Sequence, residues 1–142
     1  MQATFFMEEE YEPGQVILRE GETNPCLYAI NDGEVEVVKG AGTPTETVLG
    51  VLGQGDIFGE MGLVDGQPAS ATVRALKPTR VWLYDESAFK ETLAHDPMLA
   101  KKVIDTLVAR LRRTTNLLQM LADGEGATSD QVSELLDQHR LV

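Results

Sequence analysis

A chain of 142 residues, 42% of them hydrophobic, is long enough for one compact domain with a core of its own and short appendages. Its 23 acidic against 12 basic residues leave a net charge of −11, which works against attraction to nucleic acid or to an anionic membrane face. A single cysteine excludes an intramolecular disulfide, no apolar run approaches the roughly 18 residues of a membrane span, and no basic-then-apolar leader opens the chain, so a soluble cytoplasmic protein is expected.

From residue 13 to residue 84 the chain reads as short strands separated by turns. The runs QVILRE, CLYAI, EVEVVK, TVLGVL, ATVRAL and RVWLYD are alternating or β-branched. Pro13-Gly14, Gly21, Asn31-Asp32-Gly33, Gly53 to Asp56 and Lys77-Pro78 supply the turns between them. In EVEVVK, Glu34 and Glu36 alternate with Val35 and Val37, which gives one wet face and one core face. Cys26 sits in CLYAI and is expected in the core, not as a nucleophile. One stretch, GEMGLVDGQP, is too rich in glycine for a strand and reads as a short helix followed by a loop. The spacing of strands and turns indicates an antiparallel sandwich or barrel.

Beyond Tyr84 the period changes. Asp85 or Ser87 can cap a short helix over ESAFKETLAHD, and Asp96-Pro97 opens a second that should run to about Ala122. Within it Ile104, Leu107, Leu111, Thr114, Leu118 and Leu121 recur three and four apart, the seam of a two-helix contact. Val103, Val108 and Leu117 form another apolar side that would pack on the strands. Two apolar faces predict a helix that both leaves the domain and pairs with a second copy, making a homodimer through Ile104, Leu107, Leu111, Leu118 and Leu121. Arg110, Arg112 and Arg113, the nearest approach to a basic patch, read as a solvated face of this helix. GEGATSD is then a hinge and SDQVSELLDQHR a short capped helix. The division expected is 1–96 for the strand-rich unit, 97–122 for the long helix and 123–142 for the hinge and short terminal helix.

Three segments carry a family resemblance. PGQVILREGE, LYAINDGEVEV and GDIFGEMGLVDGQPASATVRAL are similar to the cyclic nucleotide-binding domains of the catabolite activator protein and of protein kinase A regulatory subunits. The resemblance implies a mainly β protein with α: an eight-stranded antiparallel jelly-roll barrel followed by a long C-terminal dimerisation helix. It also makes residues 58–73 a phosphate-binding cassette. Backbone amides at the start of a short helix suit a cyclic phosphate, and Gly59 permits its close approach. By resemblance Glu60 accepts from a ribose 2′-hydroxyl and Ser70 offers a hydroxyl and an amide, with Met61 and Ala71 completing the contacts. Leu63 and Val64 would close the floor. Thr114 and Thr115 fall where two hydroxyl residues of the long helix meet an adenine amino group, with Arg110 and Leu111 also in register; alternatively, Thr114 bonds its own helix carbonyl.

One position departs from the pattern. Nucleotide-binding members carry an arginine just before the small residue, and here that position is Ala69. The missing bidentate, charge-assisted contact is worth roughly 1.5 to 3 kcal/mol, so a ligand such as cAMP or cGMP should bind more weakly than with the arginine present, by about ten- to a hundredfold or more. Arg74 is badly placed to substitute, and Lys77 and Arg80 are more remote. Two function classes follow: a cyclic nucleotide-sensing regulatory module with an unknown effector, or a dimeric interaction module of the same fold that senses nothing. An enzyme is not expected, since His95 and His139 stand apart from any nucleophile or metal cluster. No helix-turn-helix follows the long helix, so direct contact with nucleic acid is not expected either.

Overall fold

The computed structural model describes residues 6–124. Eight strands come in the order β1 (Phe6–Tyr11), β2 (Val16–Leu18), β3 (Leu27–Asp32), β4 (Glu34–Lys39), β5 (Thr47–Gly53), β6 (Ile57–Phe58), β7 (Thr72–Ala75) and β8 (Thr79–Tyr84). Helix α1 (Glu60–Asp65) interrupts them between β6 and β7, and α2 (Glu86–His95) and α3 (Pro97–Gly124) follow. The strands pair antiparallel into two four-stranded sheets, ordered β1-β8-β3-β6 and β2-β7-β4-β5. The expected count of eight therefore holds, whereas the closed barrel does not: among the described residues each sheet keeps two open edges. Two short strands, the three residues of β2 and the two of β6, are too brief to carry the hydrogen-bond ladder round from one sheet to the other.

Between the sheets lies the first core cluster, in which Ile17, Leu18, Tyr28, Ile30, Val35, Phe58, Val73, Ala75 and Val81 are buried. A second cluster, Leu27, Ile57, Leu63, Phe89 and Val103, joins the β3–β6 side to all three helices. Each such aliphatic or aromatic side chain, fully buried, contributes about 1.5–3 kcal/mol. In β4, Val35 and Val38 are buried while the intervening Glu36 and Val37 are only partly so; a register shift between Val37 and Val38 breaks the strict alternation. Cys26 is half-buried against the first cluster.

The helix starts follow their caps. Asp85, not Ser87, caps α2, its carboxylate accepting from the Ala88 amide at 2.7 Å. Helix α3 begins at Pro97 as expected and runs two residues past Ala122. Its inward stripe differs from the expected one. Val103 is buried and Leu99 and Leu107 pack beside it, whereas Val108 and Leu117 face outward. Leu107, assigned to the dimer seam by its heptad position, is thus taken up by the core, because a helix lying on a curved sheet presents its residues at a period of 3.6, not 3.5. The hinge and short helix expected over 125–142 lie outside the described residues.

Candidate functional site

The site grows from the end of β6. Phe58 stacks on Tyr28 of β3 with ring centroids 4.7 Å apart and planes 3° from parallel, and Asn24 donates to the Tyr28 hydroxyl. Burial pushes the Tyr28 phenol up to about 12, so it stays protonated. Gly59 follows with φ of 82°, and a Cβ there would lie 2.7 Å from the Cys26 carbonyl oxygen and 3.0 Å from the Tyr28 ring. Only glycine takes this turn at this spacing. It opens α1 directly, and Gly66, also left-handed, closes it with its amide on the Gly62 carbonyl.

Glu60 is the first residue of α1 and is 1% exposed. One carboxylate oxygen accepts from Nη1 of Arg110, which reaches in from α3. The other Arg110 nitrogen, Nη2, donates to the Ile57 carbonyl oxygen at 2.8 Å. Glu60 Oε2 has no partner among the described residues. Desolvation pulls the Arg110 pKa down, and nearby Asp56 partly opposes it. Arg110 is therefore not part of a solvated face: it is the half-buried counter-charge of Glu60. Arg113 is also engaged, donating to the Leu49 carbonyl oxygen of β5 at 2.8 Å, while Arg112 remains exposed. Leu63 is buried beneath α1, but Val64, expected beside it, is 74% exposed. One residue along a helix is a rotation of about 100°, so only one of the two can face the core.

The exit of the cassette is pinned from several sides. The Ala69 amide donates to the Glu22 carbonyl oxygen at 2.9 Å, and the Gly21 amide donates to the Ala69 carbonyl oxygen at 2.7 Å. Ala69 itself packs against the first core cluster. The Ser70 carbonyl oxygen accepts from Lys39 Nζ at 2.7 Å, and the Glu20 amide donates to Thr72 Oγ1 at 3.1 Å. Ser70 Oγ is buried and, like Glu60 Oε2, has no partner among the described residues. Ala71 is buried, and Met61 is half-buried. The structure thus brings Gly59, Glu60 and Met61 to one end of the cassette and Ser70 and Ala71 to the other. Thr114 is half-buried four residues along α3 from Arg110 and Thr115 is exposed; neither hydroxyl has a hydrogen-bond partner among the described residues.

The remaining cations are occupied. Arg74 lies between Glu36, whose carboxylate accepts from Nε at 2.6 Å, and Glu46, which accepts from both terminal nitrogens at 3.1 and 3.2 Å. Arg74 is held strongly protonated, chiefly by Glu46, and Glu46 in turn is held below the usual carboxylate range by Arg74. Lys77 leans on Glu34, and Arg80 sits between Glu8 and Glu10. Sequence reasoning missed the partners of two residues, Glu60 for Arg110 and Ser70 for Lys39. Arg110 left a signal: Val103, Leu107, Arg110 and Thr114 are spaced four, three and four apart, so a cation stands in the inward apolar stripe. Lys39 left none, because its role depends on the register that sets Val38 against Thr72.

Comparison with known proteins agrees with this geometry. The cyclic nucleotide-binding domain profile matches residues 8–96, and the chain belongs to that family of regulatory domains. A CRP-like cAMP-activated global transcriptional regulator of Mycobacterium tuberculosis is 29% identical over 128 residues, covering 89% of this chain and 57% of that protein. The chain thus spans a little over half the length of that relative. Among solved structures, a cyclic nucleotide-binding domain from Methylobacillus flagellatus aligns with a TM-score of 0.66 at 30% identity, over 78% of this chain and 65% of that one. The Thermus thermophilus catabolite activator protein shares the fold, with a TM-score of 0.70 at 23% identity over 94% of this chain and 78% of that one. Among the described residues no helix is long and apolar enough to cross a membrane.

Proposed function

We propose that the chain is a sensor module that takes a cyclic nucleotide, cAMP or cGMP, weakly at the cassette and reports it through α3 to a second copy of itself. The carrying observation is the state of Glu60: fully buried, bonded to α3 through Arg110 by one oxygen and unpartnered among the described residues at the other. A buried carboxylate with a free lone pair is costly unless a donor arrives, and a ribose hydroxyl is such a donor. Ser70 Oγ is a second buried group in the same condition, suited to a phosphate oxygen. In this reading Gly59, Met61 and Ala71 complete the contacts, and Thr114 and Thr115 offer hydroxyls to a purine edge. The name of the M. tuberculosis relative favours cAMP among the candidates.

Signalling follows from the shared carboxylate. A ligand that engages Glu60 alters what Arg110 meets, and so shifts the populations of α3 positions. In this reading the module is non-enzymatic, makes no direct contact with nucleic acid, and acts on an unknown downstream effector. A second reading, a ligand-independent dimeric interaction module, draws support from Ala69 and from the same ion pair taken as a permanent strut. Calorimetric titration of the protein with cAMP and with cGMP tests the proposal: weak, saturable binding of at least one is expected. Nanomolar affinity would show that a cation serves the phosphate as well as the missing arginine does, and no heat from either ligand up to millimolar concentration would leave the interaction module standing.

A further inference from the structure

We infer that Lys39 supplies the positive charge to a bound anion that the cassette lacks at Ala69. The inference deepens the reading above and rests on it. Among the described residues Lys39 is the one cation hydrogen-bonded to the loop between α1 and β7, through Ser70. Arg74 and Arg110 are committed elsewhere, Arg74 to Glu36 and Glu46 and Arg110 to Glu60 and the Ile57 carbonyl. Register places Lys39 one step beyond the Val38–Thr72 pair, level with the cassette exit. The carbonyl oxygen it holds and the unpartnered Oγ belong to the same serine. An anionic oxygen that meets the Ser70 hydroxyl would therefore engage the residue whose carbonyl the same ammonium already holds.

Lys39 is also free to turn. Its side chain is half exposed, and its ion pair with Glu20 at 3.3 Å is a surface pair weakened by solvent and salt. Glu20 is fixed independently by the Gly40 amide at 2.9 Å, so it does not depend on the lysine. A flexible stem bearing a point charge matches phosphate less well than a planar guanidinium, which is consistent with a site of reduced affinity.

The test separates charge from scaffolding by using two ligands, cAMP and the uncharged adenosine, titrated into wild type, Lys39→Gln, Lys39→Ala and Lys39→Arg at low and at physiological salt. Glutamine keeps a donor for the Ser70 carbonyl, so its loss is a loss of charge, and thermal melting of each variant reports the fold. Lys39→Gln should weaken cAMP about tenfold, equivalent to about 1.4 kcal/mol, leave adenosine within about twofold, and flatten the salt dependence of cAMP binding. Lys39→Arg should bind cAMP at least as well as wild type. Equal weakening of both ligands would reduce Lys39 to a clamp on the loop and overturn the inference, as would no change in either. Wild type that binds adenosine but gains nothing from the phosphate overturns the inference while leaving the pocket intact. Wild type that binds neither overturns the sensor reading together with it.

Discussion

At position 69 the proposed weak binding turns on the difference between a methyl group and a guanidinium. Both backbone groups of Ala69 are pinned, to Glu22 and Gly21, and its side chain faces the first core cluster, so the loop already has a fixed shape around it. Ala69→Arg should tighten cyclic nucleotide binding about tenfold or more, with Ala69→Lys gaining less, when wild type and both variants are titrated with cAMP and cGMP at one salt concentration. If arginine gains nothing for either nucleotide, the interaction module is the better account. Gly59 makes a second prediction. Alanine there must hold φ near 82° and bring Cβ to within 2.7 Å of a backbone carbonyl. Left-handed strain alone costs about 1–3 kcal/mol. Gly59→Ala should lower the thermal midpoint by several degrees and weaken any ligand, and an unchanged melting curve would show that the turn relaxes freely. Glu60 and Ser70 were legible in the sequence because a motif marks them. Their surroundings were not. Arg110 lies 50 residues from Glu60, a separation that no local pattern crosses.

At the scale of one element, α3 serves two surfaces at once. Leu99, Val103 and Leu107 face the second cluster, and Arg110 continues that line into the cassette. A different stripe, Ile104, Val108 and Leu111, is exposed, Leu111 to 64%. Helical spacing puts these three within about 60° of one another, a contiguous apolar strip. Monomeric domains seldom leave such a strip open, and its heptad spacing suits a second α3 lying alongside. The protein should run as a dimer in light scattering at micromolar concentration, and Leu111→Glu with Leu118→Glu should make it monomeric without loss of helix content. A wild-type monomer under those conditions sinks the dimer and the signalling route through it. The two-faced character of α3 was legible from periodicity. Which face took Leu107 was not, since a heptad and a 3.6-residue stripe share that position and only packing against Leu27, Ile57 and Phe89 separates them.

Taken as a whole, the molecule spends its basic residues internally. Six of the strands, the turns and the site of α1 were readable because alternation and glycine mark them, but β1 was hidden by Glu8, Glu9 and Glu10, and β6 by its two-residue length. Those same glutamates now bear on partners. Glu8 and Glu10 flank Arg80, and Glu8 also accepts from the Trp82 indole at 3.0 Å. Every described lysine and arginine other than Arg112 and Arg113 has an acidic side chain within 4.0 Å. Arg113 is itself turned onto a backbone carbonyl. Binding a nucleic acid backbone draws its affinity from several free cations that displace condensed counterions, and each pre-formed ion pair must first be broken to supply one. With a net charge of −11 the long-range field opposes approach as well. Labelled duplex DNA should therefore show no change in fluorescence anisotropy with micromolar protein at physiological salt, with or without cAMP. Saturable binding that weakens steeply as salt rises would refute this, and would mean that the pairs along β8 and α3 open on contact; in that case charge reversal at Arg112 and Arg113 should abolish it first.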